Sequence, residues 1–346
     1  MVAVEETAAA RPVGEVLEWS RSAIDASMRS AVHELPPPIR HVAGYHLGWW
    51  KADGTEAEAA QGKFIRPALA LLASAAVGGQ PIEAVPAAVA IELVHNFSLL
   101  HDDVMDHDPT RRHQPTAWTE FGTSAAILAG DALLTLATKV LATSSATTGA
   151  AAIRMLGDAV LQMIHGQNSD LEFEYRTDVS LSDCTTMIEG KTGAGLGVAC
   201  ALGALYGGAD HHTVVRLRSF GTKLGVAYQI VDDMLGVWGD PATTGKPAHS
   251  DLRSYKNSMP VAAALSSSTP AGVELLELYE RRTRLSDMEL LRAVALIEDS
   301  GAKASCERQA DLLLSGALAD LRSIAPQPRA HNELADLARF ITHRDC

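Results

Sequence analysis

Apolar residues recur along this chain at the spacing of helix faces, and long segments of this kind follow one another. The joints between them are short and polar or contain glycine and proline, as in "HELPPPIR", "AVGGQPIEAVP", "LYGGADHHT", "WGDPATTGKPAHSD" and "SSTPAG". No joint has the composition of a domain linker, and no repeat of solenoid period is found. The pattern predicts one all-α domain over residues 1–346, a bundle of about ten or more helices, with residues 1–11 as a flexible tail.

Two of these segments are apolar on nearly every face until they end in acids. Segment 82–107 ends in "HDDVMDH", and segment 214–239 ends in "VDDMLGVWG". A helix that is hydrophobic all round belongs in the centre of a bundle. We therefore expect both segments to be buried helices whose acidic ends lie at the edge of the core.

Composition favours helix over strand and excludes one class of partner. The hydrophobic residues make up 47% of the chain and are mostly alanine, leucine and valine, whereas aromatic residues make up only 5%. A formal net charge of −13 argues against a nucleic-acid surface, which needs a basic stripe. The same charge is compatible with an anionic small molecule that is held through metal ions.

The cysteine spacing, the composition of residues 1–11 and the charges within the longest apolar run predict a cytoplasmic protein. The four cysteines have no CxxC spacing, which indicates reduced, buried thiols rather than zinc ligands or disulfides: Cys184, Cys200, Cys306 and Cys346. Residues 1–11 carry acids and no basic region before an apolar run, unlike a signal peptide. The apolar run 123–146 is interrupted by Asp131 and Lys139, which is wrong for a membrane span.

The acids at the ends of the two buried segments predict a metal site. Asp102 and Asp106 lie one helical turn apart on one face, with Asp103 beside them. Carboxylates this close repel one another and raise one another's pKa, a cost that a bound cation offsets. Oxygen-only ligands favour Mg²⁺ over zinc or copper. A solvated helix end is the alternative, and the second acidic pair, Asp232 and Asp233, counts against it.

Basic residues in several motifs suit a phosphate ligand. Two acidic helix ends that face each other would hold several Mg²⁺ ions with positions left for phosphate oxygens, so we predict a diphosphate. The candidate cations are Lys63, Arg66, Arg111, Arg112, Lys191, Lys246 and Lys256. Taken alone, Lys246 or Lys256 is an ordinary surface cation. His95 lies two turns before Asp102 and within about 20° of its direction, so it is either a core histidine or a substrate contact.

Together these segments resemble the trans-isoprenyl (polyprenyl) diphosphate synthase family from about residue 40 to the C-terminus, and bacterial geranylgeranyl diphosphate synthases most of all. The motifs occur in the family's order: "GKFIRP", "LVHNFSLLHDDVMDHDPTRRHQPT", "GDALL", "HGQNSDLEFE", "EGKTGAGLG", "FGTKLGVAYQIVDDMLGVWGD" and "TGKPAHSDLRSYKNSMPVAAAL". The resemblance implies an all-α bundle around a deep cavity, a homodimer, and condensation of isopentenyl diphosphate with an allylic diphosphate.

The resemblance also assigns roles to single residues. The acids of both motifs would hold Mg²⁺, three ions with the allylic diphosphate bound: Asp102, Asp103, Asp106, Asp232 and Asp233. Isopentenyl diphosphate would be bound by Lys63, Arg66, His95 and Arg112. The allylic diphosphate would be approached by Arg111, Lys191, Gln229, Lys246 and Lys256. The ionising carbon and the metal site would be faced by Thr192, Gln167 and Asp170. The catalytic set is thus Asp102, Asp103, Lys191, Thr192, Gln229 and Asp232.

Two departures from the family pattern bear on the second half of the site. Gly236 stands where the family has a third aspartate, and the nearest acids beyond it are Asp240 and Asp251. The usual "DLxEGKxT" is here "DLRSYKNS", so the residues around Lys256 differ from the family pattern. Metal binding at the second motif is therefore expected to be weaker or to use fewer direct carboxylates.

Product length in this family depends on the depth of the cavity below the first acidic motif. Phe97 and Ser98 lie five and four residues before Asp102, and the resemblance nominates both as the floor. An aromatic residue followed by a small one, with no insertion inside DDxxD, resembles synthases of geranylgeranyl diphosphate. Farnesyl or longer products stay open, because the opposite wall is not identified.

Three other roles are alternatives to a synthase. A terpene cyclase carries Asn/Asp, Ser/Thr and Glu at four-residue steps, whereas the steps from Asp232 reach Gly236 and Asp240. A regulatory subunit would have degenerate acidic motifs. The first motif is intact, whereas Gly236 in the second motif keeps this alternative open. Some actinobacterial relatives with a segment like "GYHLGWW" (44–50) associate with encapsulin shells through an extended, disordered N-terminal tail. By composition only about ten residues here suit such a tail, so an encapsulin partner carries little weight.

Overall fold

The computed structural model describes residues 9–57, 62–112, 114–176, 178–239, 249–281 and 285–343. Within these ranges the regular structure is nearly all helical, and the named strands form a single hairpin of two strands with two residues each. The all-α class predicted from the sequence is confirmed. The spacing of apolar residues predicted this class correctly because nearly every apolar segment forms a helix that buries one face or all faces.

Helices account for most of the described residues. They are α1 (Val13–His33), α2 (Pro37–His46), α3 (Ile65–Ala76), a 3₁₀ turn (Pro81–Ala84), α4 (Val85–Met105), α5 (Ala117–Phe121), α6 (Thr123–Ala142), α7 (Ala146–Phe173), α8 (Leu181–Ile188), a π-helical turn (Glu189–Gly193), α9 (Ala194–Tyr206), α10 (His211–Trp238), α11 (Ser250–Arg253), α12 (Met259–Leu265), α13 (Pro270–Glu280), α14 (Asp287–Asp299), α15 (Ala302–Ser323) and α16 (Pro328–Thr342). The hairpin strands are β1 (Thr110–Arg111) and β2 (Gln114–Pro115).

The chain divides into two compact units. Unit 1 comprises Met1–Asp158, Val198–Arg218 and Ile324–Asp336. Unit 2 comprises Ala159–Gly197, Ser219–Ser323 and Leu337–Cys346. The single domain expected from the sequence stays a prediction.

In unit 1, α4 is the buried helix that its all-apolar pattern predicted. It packs against α6, α3 and α1, and its residues from Ala87 to Leu93 are almost fully buried. Pro86 stands in its first turn, where a missing backbone N–H removes no helical hydrogen bond. The helix ends at Met105, so Asp106 is its C-terminal cap residue rather than part of the helix. The acids therefore lie at the end of a core helix, as the sequence predicted.

In unit 2, the C-terminal part of α10 supplies Ile230, Val231, Met234 and Val237 to one large apolar cluster. Helix α12 packs against α15 and α13 in the same unit. The C-terminal part of the predicted segment 214–239 is thus buried, whereas Val215 near its start is exposed. The described cysteines are buried and unbridged, as expected; Cys346 lies outside the described residues.

Two described stretches are long and apolar enough to cross a membrane by length and composition, Pro81–Met105 and Thr123–Ala142. In the first, 67% of the most apolar window is buried, and its place in the core accounts for its composition. In the second, which is α6, only 39% is buried, and Ile127 and Leu128 are exposed. The expectation that the chain has no membrane span therefore stays a prediction.

Candidate active site

A short hairpin folds back onto the acidic end of α4. Thr110 pairs with Pro115 and Arg111 with Gln114. This tight reversal needs a left-handed turn residue, and Arg112 has a φ of 51°. The reversal places Nε and Nη2 of Arg111 each 2.7 Å from Oδ1 of Asp103. Arg111 thus binds the acid motif itself; its contact with a diphosphate stays a prediction.

Asp103 is a buried carboxylate with one oxygen left over. Its side chain is 2% exposed, and among the described residues Oδ2 has no hydrogen-bond partner. Burial raises the pKa of Asp103, and the contacts with Arg111 offset that effect only in part. A buried carboxylate oxygen without a partner is costly, so it marks a place where a cation would stabilise the protein.

The other predicted cations of unit 1 come from three different segments. Lys63 lies in the loop before α3, Arg66 lies in the first turn of α3, and Arg112 lies in the hairpin. A Cβ atom at Gly62 would be only 3.0 Å from Nη2 of Arg112, so glycine permits the close approach of this guanidinium group to the loop. The "GKFIRP" motif and the arginine pair are therefore near each other, although a long stretch of sequence separates them.

Glu92 is a charged group that sequence reasoning missed. It is 4% exposed, and its Oε1 accepts a hydrogen bond from Nδ2 of Asn96 at 3.2 Å. Burial raises its pKa, while the guanidinium groups of Arg66 and Arg112 and the Asn96 hydrogen bond act in the opposite direction. A buried carboxylate thus faces two arginines. The signal was present in the sequence as an acid inside an apolar helix, three residues before His95.

Burial disfavours the charged form of two histidines of this region, His95 and His46. Burial, and then the positive charges of Arg66 and Arg112, lower the pKa of His95 well below its usual value. Burial and the charges of Arg112 and Arg111 lower the pKa of His46 to about 3. A neutral imidazole offers a hydrogen bond but no charge. His95 would therefore contribute polarity rather than a cation to any anion bound here.

Replacing His46 by asparagine is expected to make stability less dependent on pH in mildly acidic solution. In the unfolded chain His46 binds a proton below about pH 6.5, whereas in the folded protein its pKa is about 3. Stability is therefore fully present above about pH 6.5 and is lost as the pH falls towards 3. One such proton contributes a slope of about 1.4 kcal/mol per pH unit.

Urea unfolding between about pH 4 and pH 7 measures that slope. The His46→Asn variant should lose about one proton's contribution, and replacing the exposed His33 by asparagine should leave the slope near that of the unmodified protein. Equal slopes in the unmodified protein and in His46→Asn would contradict the prediction.

In unit 2, glycines bring the backbones of three segments into direct contact. The π-helical turn Glu189–Gly193 lies between α8 and α9, and such turns are frequent at functional sites. A Cβ atom at Gly166 of α7 would be 2.3 Å from the backbone nitrogen of Lys191. A Cβ atom at Gly225 of α10 would be 2.8 Å from Cα of Gly193. The "GKTG" turn therefore lies against both helices because no side chain intervenes.

A hydrogen-bonded chain links this turn to the second acidic motif. The Thr192 hydroxyl donates to Oε1 of Gln229 at 2.8 Å, and Nε2 of Gln229 donates to Oδ1 of Asp233 at 2.9 Å. The backbone N–H of Met259 donates to Oδ2 of Asp233 at 2.9 Å. Burial, followed by the nearby charge of Asp251, raises the pKa of Asp233 to about 7. The side chain of Asp233 is thus held at both oxygens.

A second buried carboxylate, Asp170, is bound by lysines. Nζ of Lys191 lies 2.5 Å and Nζ of Lys256 lies 3.9 Å from its Oδ2. Burial alone would raise the pKa of Asp170, but the two lysines lower it below its usual value. Three residues earlier in the sequence, Gln167 is mostly buried, and in the described part of the chain neither the amide nitrogen nor the amide oxygen has a hydrogen-bond partner. Such an amide is suited to a ligand or to bound water.

The acidic residues fit Mg²⁺ by the chemistry of their donors. All are carboxylates, which Mg²⁺ prefers, and Oδ2 of Asp103 is a buried oxygen without a partner among the described residues. In the residues that the structure describes, no three carboxylate, histidine or cysteine side chains form a complete metal-binding group by themselves. Mg²⁺ does not require one, because it usually keeps several waters and binds substrate phosphates.

The predicted site residues divide between the two units. Unit 1 holds Lys63, Arg66, His95, Phe97, Ser98, Asp102, Asp103, Asp106, Arg111 and Arg112. Unit 2 holds Gln167, Asp170, Lys191, Thr192, Gln229, Asp232, Asp233 and Lys256. Lys246 and Asp240 lie outside the described residues. Within each unit the structure brings acids and cations together, which sequence spacing alone did not predict for Arg111 or Lys191.

Comparison with known proteins gives consistent matches over most of the chain. The family model described as Polyprenyl synthetase matches residues 52–297. A geranylgeranyl diphosphate synthase of Mycobacterium tuberculosis is 41% identical over 96% of this chain and 94% of its own length. A (2E,6E)-farnesyl diphosphate synthase of the same organism is also 41% identical, over 95% of this chain and 92% of its own.

Solved structures agree with this chain in fold. A polyprenyl synthetase from Streptomyces coelicolor A3(2) superposes with a TM-score of 0.92 at 41% identity, covering 96% of this chain and all of the other. A geranylgeranyl pyrophosphate synthase from Corynebacterium glutamicum, complexed with isoprenyl diphosphate and magnesium, superposes with a TM-score of 0.78 at 27% identity, covering 96% and 99%.

Proposed function

Since this chain belongs to the polyprenyl synthetase family, we propose that it condenses isopentenyl diphosphate with allylic diphosphates and that its main product is geranylgeranyl diphosphate. The protein is a prenyltransferase, a trans-prenyl diphosphate synthase of short chain length. The relatives are named for farnesyl, geranylgeranyl and geranylfarnesyl products. The choice among these products is therefore our own inference.

The observation that carries this proposal is the state of Asp103 at the end of α4. It is buried, one oxygen is bound by Arg111, and among the described residues the other oxygen has no partner. A chain that folds only for stability would avoid such a carboxylate, because replacing it by an apolar residue would remove the desolvation cost. A site for a divalent cation and a diphosphate explains why it is present.

The family depends on Mg²⁺, and we assign its ligands to the two acidic motifs, with three ions when the allylic diphosphate is bound. The residues that would hold the ions are Asp102, Asp103, Asp106, Asp232 and Asp233. When bound, Mg²⁺ neutralises the charge that develops on the diphosphate as it leaves. The protein's part is to orient these carboxylates, which Arg111 does for Asp103 and Gln229 does for Asp233, and both contacts oppose the rise in pKa that burial causes.

We assign isopentenyl diphosphate to the cations of unit 1, Lys63, Arg66 and Arg112, together with His95. Glu92 faces two of these guanidinium groups and offsets their mutual repulsion before substrate binds. Arginine forks bind phosphate oxygens bidentately, whereas neutral His95 adds a hydrogen bond. Binding of an anion here would replace solvent around charges that the protein has already oriented.

In unit 2 the side chains beside Lys191 suit an electron-poor carbon. Breaking the allylic carbon–oxygen bond creates a carbocation and a diphosphate leaving group. The Thr192 hydroxyl donates a hydrogen bond to Gln229, so the lone pairs of its oxygen would be available to such a carbon. Lys191 is held by Asp170 and would interact with the negative charge of the leaving diphosphate. The surroundings must exclude water, which would trap the carbocation as an alcohol.

We assign the control of product length to Phe97 and Ser98. Phe97 is buried, and its ring meets the ring of His101 edge-on with the centroids 4.8 Å apart. The Ser98 hydroxyl donates to the backbone oxygen of His95 at 2.9 Å, so it is held against its own helix. A fixed aromatic ring about one and a half turns before the acids would limit how far an elongating chain extends.

Replacing Phe97 by alanine is expected to shift the main product by at least one isoprene unit towards longer chains. Removing the ring opens space below the acids, beside the ring of His101. The loss of a buried aromatic side chain also lowers stability by about 3–5 kcal/mol, so products are compared well below the melting temperature. Mass analysis of the products gives their lengths.

The control for this variant is Phe220→Ala, which removes a fully buried ring elsewhere in the fold. It should be destabilised to a similar degree and keep the product length of the unmodified protein. If Phe97→Ala also keeps that length, the role of Phe97 is wrong.

One experiment tests the proposed reaction. The purified protein is incubated with isopentenyl diphosphate, Mg²⁺ and dimethylallyl, geranyl or farnesyl diphosphate in turn, and the products are identified by mass. We expect condensation with geranylgeranyl diphosphate as the main end product. A cyclised hydrocarbon without condensation would favour a terpene cyclase, and absence of turnover with every primer would favour a regulatory subunit.

The homodimer and the cytoplasmic location stay predictions. The exposed Ile127 and Leu128 on α6 are the kind of side chains that a second copy of the chain would cover. Light scattering in solution gives the oligomeric state directly.

A further inference from the structure

In unit 2, the space that a side chain at position 236 would need is filled by the carboxylate of another residue. Gly236 lies in α10, one turn after Asp232 and Asp233, where the family motif has its third aspartate. A Cβ atom built at Gly236 would be 2.3 Å from Oδ2, 2.6 Å from Cγ and 2.9 Å from Oδ1 of Asp251. The Asp251 carboxylate therefore stands in the volume from which a side chain at position 236 would start.

The segment that carries Asp251 is fixed to the end of the same helix. Nδ1 of His249 lies 2.7 Å from the backbone oxygen of Val237 in α10. Leu252, in the short helix α11, is fully buried in the apolar cluster of unit 2. Asp251 lies between these two anchors, so its position beside Gly236 follows from packing on both sides.

The same carboxylate lies close to the end of α10 that carries the paired acids, because Gly236 is one turn after Asp232 and Asp233 on that helix. Concentrating three carboxylates at one helix end is unfavourable without a cation. The arrangement resembles the first acidic motif in its chemistry, although one of the three acids comes from a different segment.

We propose that Asp251 supplies the carboxylate that position 236 lacks, so that Asp232, Asp233 and Asp251 together serve the Mg²⁺ of the second motif. The proposal rests on the metal assignment of the proposed function and extends it to a residue outside the motif. It also explains why position 236 is glycine. Any side chain there would displace the Asp251 carboxylate, so restoring the motif's aspartate would not restore the site.

The test compares single and paired substitutions by their binding of Mg²⁺ and inorganic pyrophosphate, measured by titration calorimetry without any prenyl substrate. We expect Asp251→Asn to weaken binding about 10- to 100-fold, as loss of a residue that supports a metal site typically does. Gly236→Asp should weaken binding as well, because its side chain collides with Asp251. The double variant Gly236→Asp/Asp251→Ala should recover most of the affinity, because the carboxylate then stands on the helix.

Two controls separate this effect from misfolding. Asp299→Asn, an exposed acid in α14, should bind as the unmodified protein does. Gly236→Ala should weaken binding through displacement alone, and melting without Mg²⁺ reports whether each variant is folded. Unchanged binding by Asp251→Asn, or tighter binding by Gly236→Asp alone, would overturn the proposal, as would failure of the unmodified protein to bind Mg²⁺ and pyrophosphate.

Two experimental outcomes separate the role of Asp251 from the proposed condensation reaction. If the unmodified protein condenses prenyl substrates but Asp251→Asn binds Mg²⁺ and pyrophosphate normally, the role of Asp251 is wrong and the proposed function stands. If the substitutions change binding as expected but no condensation occurs with any primer, the role of Asp251 stands and the proposed function is wrong.

Discussion

Replacing Asp102 by alanine is expected to lower kcat about a thousandfold or more, about 4 kcal/mol in the activation barrier, while the protein still folds. Asp102 lies in the last turn of α4 beside the buried Asp103. Removing its carboxylate would weaken the Mg²⁺ that stabilises the leaving diphosphate. The fold should survive because loss of one of several crowded acids also removes repulsion.

Turnover with isopentenyl diphosphate and an allylic primer measures this effect, and circular dichroism checks the fold. The matched control is Asp158→Ala, an exposed aspartate in α7, which should retain turnover within about threefold because surface substitutions change little. Near-normal turnover by Asp102→Ala would refute the assignment of this residue to the metal.

Replacing Lys191 by alanine is expected to lower kcat/KM about a hundredfold or more. The loss of a positive charge near the leaving diphosphate accounts for the change in rate. The same substitution removes the closer of the two lysines from Asp170, so the pKa of Asp170 should rise. Breaking a buried ion pair costs about 3–5 kcal/mol, and we expect the low end here because Lys256 also lies within ion-pair distance.

A second substitution separates the two roles of Lys191. In Lys191→Ala/Asp170→Asn the orphaned charge is gone, so the free energy of unfolding measured in urea should recover part of its loss. Activity should not recover, because the charge that serves the diphosphate is still absent. If activity returns together with stability, Lys191 acts only by holding Asp170, and its predicted contact with the substrate is wrong.

The all-α fold class and the position of the first acidic motif could be predicted from the sequence, because both depend on local periodicity. Segment 82–107 is apolar on all faces, and the structure shows a core helix that ends at Met105. The positions of Asp102 and Asp103 at its end agree with counting residues along that helix. The prediction placed Asp106 in the helix, whereas it is the cap residue, because periodicity does not locate the terminal residue of a helix.

Contacts between residues far apart in the sequence could not be predicted from local periodicity. Glu92 reads in the sequence as part of an apolar helix, and only the approach of Arg66 and Arg112 in the fold shows that it faces positive charge. Lys191 was assigned to a diphosphate, but its bond to Asp170 depends on how α7 meets the π-helical turn. That meeting depends on glycines whose missing Cβ atoms matter only in three dimensions.

The sequence by itself determined the helical class, the two helices that end in aspartates, and the family. The first two follow from the spacing of apolar and acidic residues along the chain, and the family follows from the order of the motifs. Only the tertiary structure decided that Asp103 keeps one oxygen without a partner among the described residues and that the carboxylate of Asp251 fills the space beside Gly236. The reason is physical: helical periodicity specifies which residues share a face, but burial and the return path of the chain decide which charges meet.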